Sequence, residues 1–358
     1  MKSAQIAVVA SGFPRLSETF AVNELLALAE RNALAAIFAT KPGDGTHLHL
    51  GSERLSQLLT VLPNGSADRQ ATIVAYTLRN RNVRAVHGYF AHQPAEVAWR
   101  AAERLRLPSG FSVHAKDARK ISIKELGIRA KRAACVVACN SDVAATLEKT
   151  GARVHLIPHG VDLERFVRSP LPASGPLQIL AVGRLVEKKG FHFLIEAVSR
   201  LQFPFQLRII GEGPEQERLA QMISAYDLSG RVMLCGPRTH DQLPEEYARA
   251  HVVAVPSIVD KAGDRDGLPN VVLEAMASGR AVVAGKTGAI GVAVKDNETG
   301  LLLPAGDPLS LALALTRLAQ DPPLRVRLAA TAREHVERNY EMKSCSARFC
   351  DLLEEAYA

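Results

Sequence analysis

Short apolar runs that alternate with helical stretches are the feature that most restricts the fold of this chain. The runs are rich in Val, Ile, Leu and Ala along their whole length. Strands of this kind are buried on both faces, which is typical of parallel sheets covered by helices. The sequence therefore predicts an α/β protein with parallel sheets. The predicted strands are QIAVVA, LAAIFA, VRAVHGYF, GFSVH, ACVVAC and VHLIP in the first half, and LQILAVG, FQLRIIG, RVMLCG, HVVAVP, AVVAG and GLLLP in the second.

The alternation is interrupted once, by a segment rich in proline and glycine, IPHGVDLERFVRSPLPASGPL. Such a composition is typical of a linker. We predict an N-terminal domain over residues 1–168, a C-terminal domain over 169–340, and a last helix over 341–358 that could pack on either domain, including back on the N-terminal one. In two facing doubly wound domains, ligands bind at the carboxyl ends of the strands, in the cleft between the domains.

Composition and cysteine usage narrow the class of protein. Apolar residues make up 47% of the 358 residues and charged residues 23%, which is the balance of globular proteins. No apolar run reaches the ~18 residues that span a bilayer, and the apolar part of the first stretch is too short for a signal peptide. The five cysteines have no CxxC spacing, which argues against zinc and for reduced thiols in a cytoplasmic setting.

The net charge of +7 is concentrated in the first half. Residues 1–170 carry 23 Lys and Arg against 14 Asp and Glu, whereas the rest carries 21 against 23. The positive charge is densest in one stretch, around residues 116–132. Two explanations for this peak of positive charge are a solvated helix and a helix that lies on an anionic membrane, at the inner face of the cytoplasmic membrane. Nucleic acid is not an expected partner, because aromatic residues make up only 5% and no stacking platform is evident. The peak contains Lys116, Arg119, Lys120, Lys124, Arg129, Lys131 and Arg132.

Basic residues follow the first strand of the second half, in the segment RLVEKKGFHFLIEA. Arg184 comes directly after the strand, and Lys188 and Lys189 precede Gly190, where a helix is predicted to start. Cations at a helix N-terminus do not complement the helix dipole, so a bound phosphate is one explanation for them. Two solvated lysines and a capping glycine are the alternative. Neither half contains GxGxxG, which argues against a nicotinamide-dependent dehydrogenase.

Two carboxylates mark the segment DRDGLPNVVLEAMASG, residues 264–279. Pro269 suits the first turn of a helix and Gly279 suits its end, so Asp266 is predicted to lie before the helix and Glu274 inside it. Glu274 is flanked by apolar residues, and a buried carboxylate needs donors. Those donors are either an arginine in a structural salt bridge or the hydroxyls of a ligand. The Asp-Arg-Asp triplet alone is a weak indication of a metal site.

The order of several motifs resembles that of the retaining glycosyltransferases of family 4, which have the GT-B fold of two facing Rossmann-like domains with the active site in the interdomain cleft. The motifs are AVGRLVEKKGFHFLIEA, LRIIGEGPEQERL, VMLCG, VVAVPS, DGLPNVVLEAMASGRAVVA and ETGLLLPAGD, with SVHAKD, CNSDV and IPHGVD in the first half. The SETF and HAKD elements are similar to those of transferases that build bacterial exopolysaccharides such as colanic acid.

The resemblance implies a role for each candidate site residue. Glu274 would accept the ribose hydroxyls of a nucleotide-sugar donor, and Asp266 would contact the hydroxyls of the donor sugar. Arg184 and Lys189 would neutralise the diphosphate. The resemblance also assigns the backbone amides of Gly267, Leu268, Pro269 and Asn270 to the sugar and phosphates, His114 to the reaction centre, and Gly12 to a loop close to the donor phosphate, so that His114, Arg184, Lys189 and Asp266 form the catalytic set.

Two departures from the family pattern affect these expectations. Asp266 stands where the family usually has Glu, so its side chain is one methylene shorter. The loop after AVVAG reads KTGAIGVAVKD in place of a GGIPE type, so the terminal carboxylate of that motif is missing.

The implied activity is transfer of a sugar from a GDP-, UDP- or ADP-linked donor to a saccharide or polyprenyl-diphosphate-linked acceptor. The anomeric configuration would be retained without a covalent intermediate, and no metal or other cofactor would be needed because the cations and a helix dipole stabilise the leaving diphosphate. A two-carboxylate glycosidase would leave the cations unexplained. A nucleotide-sugar epimerase of similar fold and a non-catalytic nucleotide-sugar-binding protein are the alternatives.

Overall fold

The computed structural model describes residues 4–15, 18–44, 52–114, 121–172 and 175–358. The chain divides into two compact units. The first unit contains Met1–Gly160 together with Met342–Ala358, and the second unit contains Val161–Glu341. Each unit is built on one parallel sheet, so the prediction of two α/β domains with parallel sheets is confirmed.

The first unit has a seven-stranded sheet in the order β3-β2-β1-β4-β5-β6-β7. The order reverses between β1 and β4, which is a topological switch point of a doubly wound sheet. The strands are β1 Gln5–Phe13, β2 Leu34–Pro42, β3 Leu59–Val61, β4 Val83–Gly88, β5 Ser109–Val113, β6 Cys135–Ala138 and β7 His155–Leu156, and the helices are α1 Thr19–Glu30, α2 Ser52–Ser56, α3 Ala67–Leu78, α4 Gln93–Leu105, α5 Ile123–Arg132, α6 Ser141–Glu148 and, at the end of the chain, α14 Met342–Ala356.

Strand β1 shows why this sheet is buried on both faces. Ile6 and Val8 belong to one apolar cluster, which also contains Leu25 of α1. Val9 points to the opposite face and belongs to a second cluster, with Val97 of α4. Side chains alternate between the two faces of a strand, so a run of consecutive apolar residues supplies both cores.

Helix α14 packs in the first unit, although it is the last element of the chain. Phe349 and Leu353 belong to the same cluster as Leu25. An ion pair between Arg31 and Asp351, 2.5 Å apart, lies beside them. The last helix, predicted over 341–358, therefore completes the core of the N-terminal part of the chain.

The second unit has a six-stranded sheet in the order β10-β9-β8-β11-β12-β13. Its order reverses between β8 and β11, so the carboxyl ends of these two strands mark a second switch point. The strands are β8 Leu177–Val182, β9 Phe205–Ile210, β10 Val232–Leu234, β11 Val252–Val255, β12 Ala281–Gly285 and β13 Leu301–Leu303, and the helices are α7 Phe191–Ser199, α8 Gln216–Ala225, α9 Leu243–Ala248, α10 Asn270–Ala277, α11 Ile290–Ala293, α12 Pro308–Gln320 and α13 Pro322–Asn339.

The division between the units falls after Gly160, earlier than the boundary at 168 that the proline cluster indicated. The backbone N–H of Val161 donates to the carbonyl of Tyr340 at 2.7 Å, and Phe166 is buried in the core of the second unit. Arg280 is fully buried and donates to the carbonyls of Ser169 and Pro170. These contacts attach residues 161–170 to the second unit, in spite of their linker composition.

None of the helices in the described ranges is both long enough and apolar enough to cross a membrane.

Candidate functional site

Gly190 brings the two lysines of the predicted phosphate site against the end of a neighbouring strand. A 3₁₀ turn at Glu187–Lys189 follows β8, and Gly190 then adopts a left-handed conformation with φ of +67° before α7 begins. A Cβ atom at Gly190 would lie 2.0 Å from the carbonyl oxygen of Pro256, just after β11. Only glycine permits both the conformation and the close approach.

Lys188 and Lys189 form ion pairs with the aspartates of the Asp-Arg-Asp triplet. The Nζ atom of Lys189 lies 2.8 Å from Oδ2 of Asp266. The Nζ atom of Lys188 lies 2.9 Å from Oδ2 of Asp264 and 3.6 Å from Oδ1 of Asp266. Ser257 donates its hydroxyl to Oδ2 of Asp266 at 2.9 Å. We call these five residues the Lys–Asp cluster.

Asp266 is ionised within this cluster. Burial favours its neutral form, but Lys189, Lys188 and Ser257 outweigh burial and lower the pKa of the carboxyl group. The side chain is 11% exposed, so part of the carboxylate stays accessible to a ligand. Oδ2 is taken by two donors, whereas the contact of Oδ1 within the described residues is the longer one to Lys188.

Arg184 lies at the same edge of the sheet, directly after β8. Its side chain is exposed, and the described part of the chain offers it neither a carboxylate nor a hydrogen-bond acceptor. The guanidinium charge is thus available to an anion. This distinguishes Arg184 from the two lysines, whose charges are already balanced by aspartates.

The N-terminus of α10 follows the Lys–Asp cluster. Pro269 is extended and caps the helix, which starts at Asn270, one residue later than predicted. The backbone N–H groups of Gly267, Leu268 and Asn270 donate to no acceptor within the described residues. Pro269 has no N–H, so the four amides that the resemblance implied are corrected to three. Free N–H groups at a helix N-terminus form a site for an anion.

The loop after β12 packs on the segment that leads into α10. The N–H of Ala289 donates to the carbonyl of Gly267 at 3.0 Å. Gly288 adopts φ of +49°, and a Cβ atom there would lie 2.2 Å from the carbonyl oxygen of Asp266. The unusual KTGAIG sequence therefore supports the backbone of residues 266–267 through glycine and a main-chain bond.

Glu274 is buried on α10, with 5% of the residue exposed. The hydroxyl of Tyr247 donates to its Oε2 at 2.8 Å, and Nε2 of His240 lies 3.5 Å from Oε1. Arg165 donates to Nδ1 of His240, which leaves the ring proton on Nε2, facing Glu274. The predicted alternatives were an arginine or ligand hydroxyls. Among the described residues the donors are a tyrosine and a histidine in place of the arginine, and donation by a ligand stays a prediction.

Burial, together with the Glu274 carboxylate, raises the pKa of Tyr247 well above its ordinary value. The tyrosine therefore remains a proton donor to Glu274 across the physiological range of pH. Because the histidine contact to Oε1 is at the long limit of a hydrogen bond, Oε1 has lone-pair capacity for a further donor.

The remaining predicted site residues, Gly12 and His114, lie in the first unit. Gly12 is near the end of β1, and a Cβ atom there would lie 2.6 Å from the carbonyl oxygen of Pro42. His114 follows β5 and is buried, with its ring 4.8 Å from that of Phe90. Burial, with the nearby His159, His87 and His92, lowers the pKa of His114 well below its ordinary value. The other residues of the HAKD element, 115–117, lie outside the described residues.

Comparison with known proteins decides the family. A model described as glycosyltransferase family 4 matches residues 17–165, and one described as glycosyl transferases group 1 matches residues 163–335. The chain belongs to the family 4 and group 1 glycosyltransferases.

Relatives and solved structures agree with this assignment. A protein named for colanic acid biosynthesis, the glycosyltransferase WcaL of Escherichia coli, is 33% identical over 59% of this chain and 54% of its own length. The amylovoran biosynthesis glycosyltransferase AmsK of Erwinia amylovora is 32% identical over 56% of this chain and 51% of its own length. The chain thus spans about half the length of these relatives. HepE of Anabaena, solved with UDP, superposes with a TM-score of 0.83 at 20% identity, over 98% of this chain and 100% of HepE. The fold is that of the GT-B glycosyltransferases.

In this member of the family, eight of the ten predicted site residues lie in the second unit, either in the segment after β8 or between β11 and the middle of α10. They are Arg184, Lys189, Asp266, Gly267, Leu268, Pro269, Asn270 and Glu274.

Sequence reasoning missed the donors that hold the two carboxylates of the glycosyltransferase. Ser257 directly follows the predicted strand HVVAVP, so its position just beyond the carboxyl end of β11 could have identified it. Tyr247 and His240 carry no motif. Within the described ranges, no group of three or more His, Cys, Asp or Glu side chains could hold a metal ion.

Proposed function

We propose that this protein transfers a sugar from a nucleotide-sugar donor to a saccharide or lipid-linked saccharide acceptor, with retention of the anomeric configuration, in the synthesis of a cell-surface polysaccharide. The observation that carries the proposal is the arrangement at the carboxyl edge of the second sheet. Among the described residues, an arginine without an acidic partner and a lysine–aspartate pair follow β8 and β11, three N–H groups without an acceptor precede or begin α10, and a buried glutamate lies on that helix. We assign the cations and N–H groups to the diphosphate of a nucleotide sugar, the aspartate to its sugar, and the glutamate to its ribose.

The diphosphate is the part of the donor that Arg184, Lys189 and the N-terminus of α10 would bind. Arg184 is exposed and balanced by no carboxylate of the described chain. An ammonium group has three donors, so Lys189 can hold Asp266 and contact a phosphate oxygen at the same time. Charge that develops on the leaving diphosphate is stabilised by such preorganised cations and by the helix dipole.

The donor sugar would contact Asp266. Its Oδ2 is held by Lys189 and Ser257, which fixes the orientation of the carboxylate. Oδ1 is then the oxygen left to accept a sugar hydroxyl. The ion pairs thereby fix the position from which Oδ1 of this shorter side chain would contact the sugar.

The ribose would contact Glu274. Tyr247 donates to Oε2, and the remaining lone-pair capacity of Oε1 suits a 2′- or 3′-hydroxyl. A hydrogen bond from a ligand hydroxyl to a carboxylate contributes about 1.5–3 kcal/mol.

We propose that the reaction needs no metal ion and no covalent intermediate. Asp264 and Asp266 are each paired with a lysine, and Arg184 and Lys189 supply the positive charge that a metal would otherwise bring. As the bond between the anomeric carbon and the diphosphate oxygen breaks, the diphosphate leaves with the bonding electrons. The oxygen of the acceptor hydroxyl forms the new bond to the anomeric carbon, and its proton passes to the leaving diphosphate. His114 is proposed to line this reaction centre.

The comparisons support a nucleotide-sugar donor without fixing its base. HepE has been solved with UDP and with UDP-glucose, and the names of WcaL and AmsK place those proteins in colanic acid and amylovoran biosynthesis. UDP-linked sugars are therefore the first donors to test, followed by GDP- and ADP-linked sugars. We propose a saccharide or polyprenyl-diphosphate-linked acceptor at the inner face of the cytoplasmic membrane.

The test is to offer the protein UDP-, GDP- and ADP-linked sugars. Turnover is measured as release of the nucleoside diphosphate, and NMR determines the anomeric configuration of the sugar product. Transfer or slow hydrolysis with α-configured product from an α-linked donor supports the proposal. Formation of an epimer, or binding without turnover, contradicts it.

Matched variants assign the site. Arg184→Ala and Lys189→Met should each lower kcat/KM roughly 10–1000-fold, as expected when one charge that stabilises the transition state is removed. Arg249→Ala removes an exposed arginine of the same unit that pairs with Glu245 on the surface, and it should retain full activity. Full activity in Lys189→Met would reject the site assignment.

A further inference from the structure

Glu24 of the first unit repeats the environment of Glu274. It is buried on α1, with 3% of the residue exposed. Its Oε2 accepts the hydroxyl of Tyr89, and its Oε1 lies 2.8 Å from Nδ1 of His159. Each unit therefore holds a glutamate on an apolar helix, with a tyrosyl hydroxyl on one oxygen and a histidine facing the other.

Both partners of Glu24 pack on the ring of His114. The ring of His159 lies 5.0 Å from that of His114, with 15° between the planes, and the ring of Tyr89 lies 5.3 Å away. Phe20 of α1 closes the group, at 4.0 Å from His159 and 5.1 Å from His114. One carboxylate thus anchors two of the rings that surround His114.

Charge distinguishes the two histidines. Burial opposes protonation of His159, but Glu24 and the nearby Cys139 outweigh it and raise the pKa of His159 to about 10. Burial, followed by the charge of His159, lowers the pKa of His114. At neutral pH, His159 is a cation paired with Glu24, and His114 beside it is a neutral ring.

We propose that Glu24 is a positioning residue for His114 and acts through His159 and Tyr89. The inference rests on the proposed function, in which His114 lines the reaction centre. Glu24 itself is covered by protein and has both oxygens occupied, so it fixes the two partner rings and leaves contact with the substrate to His114.

The geometry specifies which change is informative. Glu24→Gln keeps the size of the side chain and one acceptor oxygen but removes the charge that holds the His159 cation. His159 then loses the anionic partner that fixes its ring, while the remaining oxygen can still accept from Tyr89. The packing of His159 against His114 is expected to change as a result. Glu30→Gln is the matched control, because Glu30 ends the same helix and is exposed.

The first experiment is a histidine NMR titration of the full-length wild type, Glu24→Gln and Glu30→Gln, with His114→Ala for assignment. In Glu24→Gln we expect the pKa of His159 to fall by about one unit or more and the ring signals of His114 to shift. Glu30→Gln should match the wild type. Unchanged His114 signals in Glu24→Gln would overturn the inference, whether or not the protein turns over a donor.

The second experiment is a double-mutant cycle on kcat with Glu24→Gln and His114→Ala. Glu24→Gln should lower kcat roughly 10–100-fold and leave the Kd of UDP unchanged, and the double variant should be no slower than His114→Ala, because residues acting as one unit are not additive. If the losses of kcat in the two single variants multiply in the double variant, and Glu24→Gln has a lower Tm, Glu24 has a structural role and the inference is overturned. If the wild type turns over no nucleotide sugar, the proposed function fails, and the NMR titration still decides the role of Glu24.

Discussion

Asp266 is a carboxylate that stays charged although most of its surface is covered. Burial raises the free energy of the ionised form, but Lys189, Lys188 and Ser257 lower the pKa overall. The pKa in the folded protein is therefore below the unfolded value of about 3.9. Ionised Asp266 stabilises the folded protein above that pH, and this contribution is lost as the pH falls through the folded-state pKa.

Asp266→Asn should therefore destabilise the protein in a pH-dependent way. We expect a loss of about 1–3 kcal/mol at neutral pH, since the charged hydrogen bonds are removed. The difference in stability between the variant and the wild type should shrink as the pH falls below about 4, because protonated aspartic acid resembles asparagine. We call this difference the gap. Tm values from pH 7 to pH 3 measure the gap. Asp241→Asn, at a 77% exposed side chain, is the control. A gap of constant size at all pH values would contradict the stabilising ionisation.

Glu274 allows a test with two ligands that differ only in the ribose. Glu274→Gln should raise the Kd of UDP about tenfold to a hundredfold, because a charged hydrogen bond to a hydroxyl is lost. The Kd of 2′,3′-dideoxy-UDP should be the same in the wild type and the variant, since that ligand has no hydroxyl to donate. Calorimetry measures both constants. Equal losses for the two ligands would mean that Glu274 supports the fold and does not contact the ribose.

At the scale of elements, Gly190 joins the turn after β8 to the end of β11. Its left-handed φ of +67° and the 2.0 Å approach of a virtual Cβ to Pro256 are separate constraints. The first is conformational and costs about 1–2 kcal/mol for a residue with a side chain. The second is steric, and relief of that clash would move the lysines away from Asp266.

Gly190→Ala and Gly236→Ala separate these two effects. Gly236 has φ of +69° and no atom within 4 Å of a virtual Cβ, so Gly236→Ala should cost only the conformational term, about 1–2 kcal/mol. Gly190→Ala should lose more stability and should also weaken nucleotide binding. Thermal unfolding and UDP binding of both variants provide the comparison. If the two variants lose the same stability and both bind UDP like the wild type, the close approach at Gly190 does not position the lysines.

Local signals allowed the strands and the ends of α10 to be predicted from sequence, because buried parallel strands, Pro269 and Gly279 act within a few residues. Strand β3 was not predicted, since Leu59–Val61 is short, at the sheet edge and partly exposed. The donors to Glu274 were not predicted either. Tyr247 lies 27 residues away in sequence, and only the folded sheet brings the two together.

At the scale of the whole molecule, the two units differ in charge. The first unit, Met1–Gly160 with Met342–Ala358, contains 23 Lys and Arg against 15 Asp and Glu, and the second contains 21 against 22. On α5, Lys124 and Lys131 are exposed, and Ile123 and Ile128 are 54% and 47% exposed. Lys116, Arg119 and Lys120, which belong to the same predicted basic peak, lie outside the described residues. Exposed lysines beside exposed isoleucines favour the proposed contact with an anionic membrane.

The charge difference predicts binding to anionic vesicles that depends on α5. The wild type should pellet with vesicles rich in anionic lipid, and less at high salt, because screening weakens the attraction. Each basic residue near such a surface contributes about 1 kcal/mol, so Lys124→Glu with Lys131→Glu should lower the partition coefficient about tenfold or more. Lys261→Glu with Lys295→Glu makes the same charge change at exposed sites of the second unit and should have a much smaller effect. Equal losses in the two double variants, or equal binding to neutral vesicles, would mean that α5 is an ordinary solvated helix.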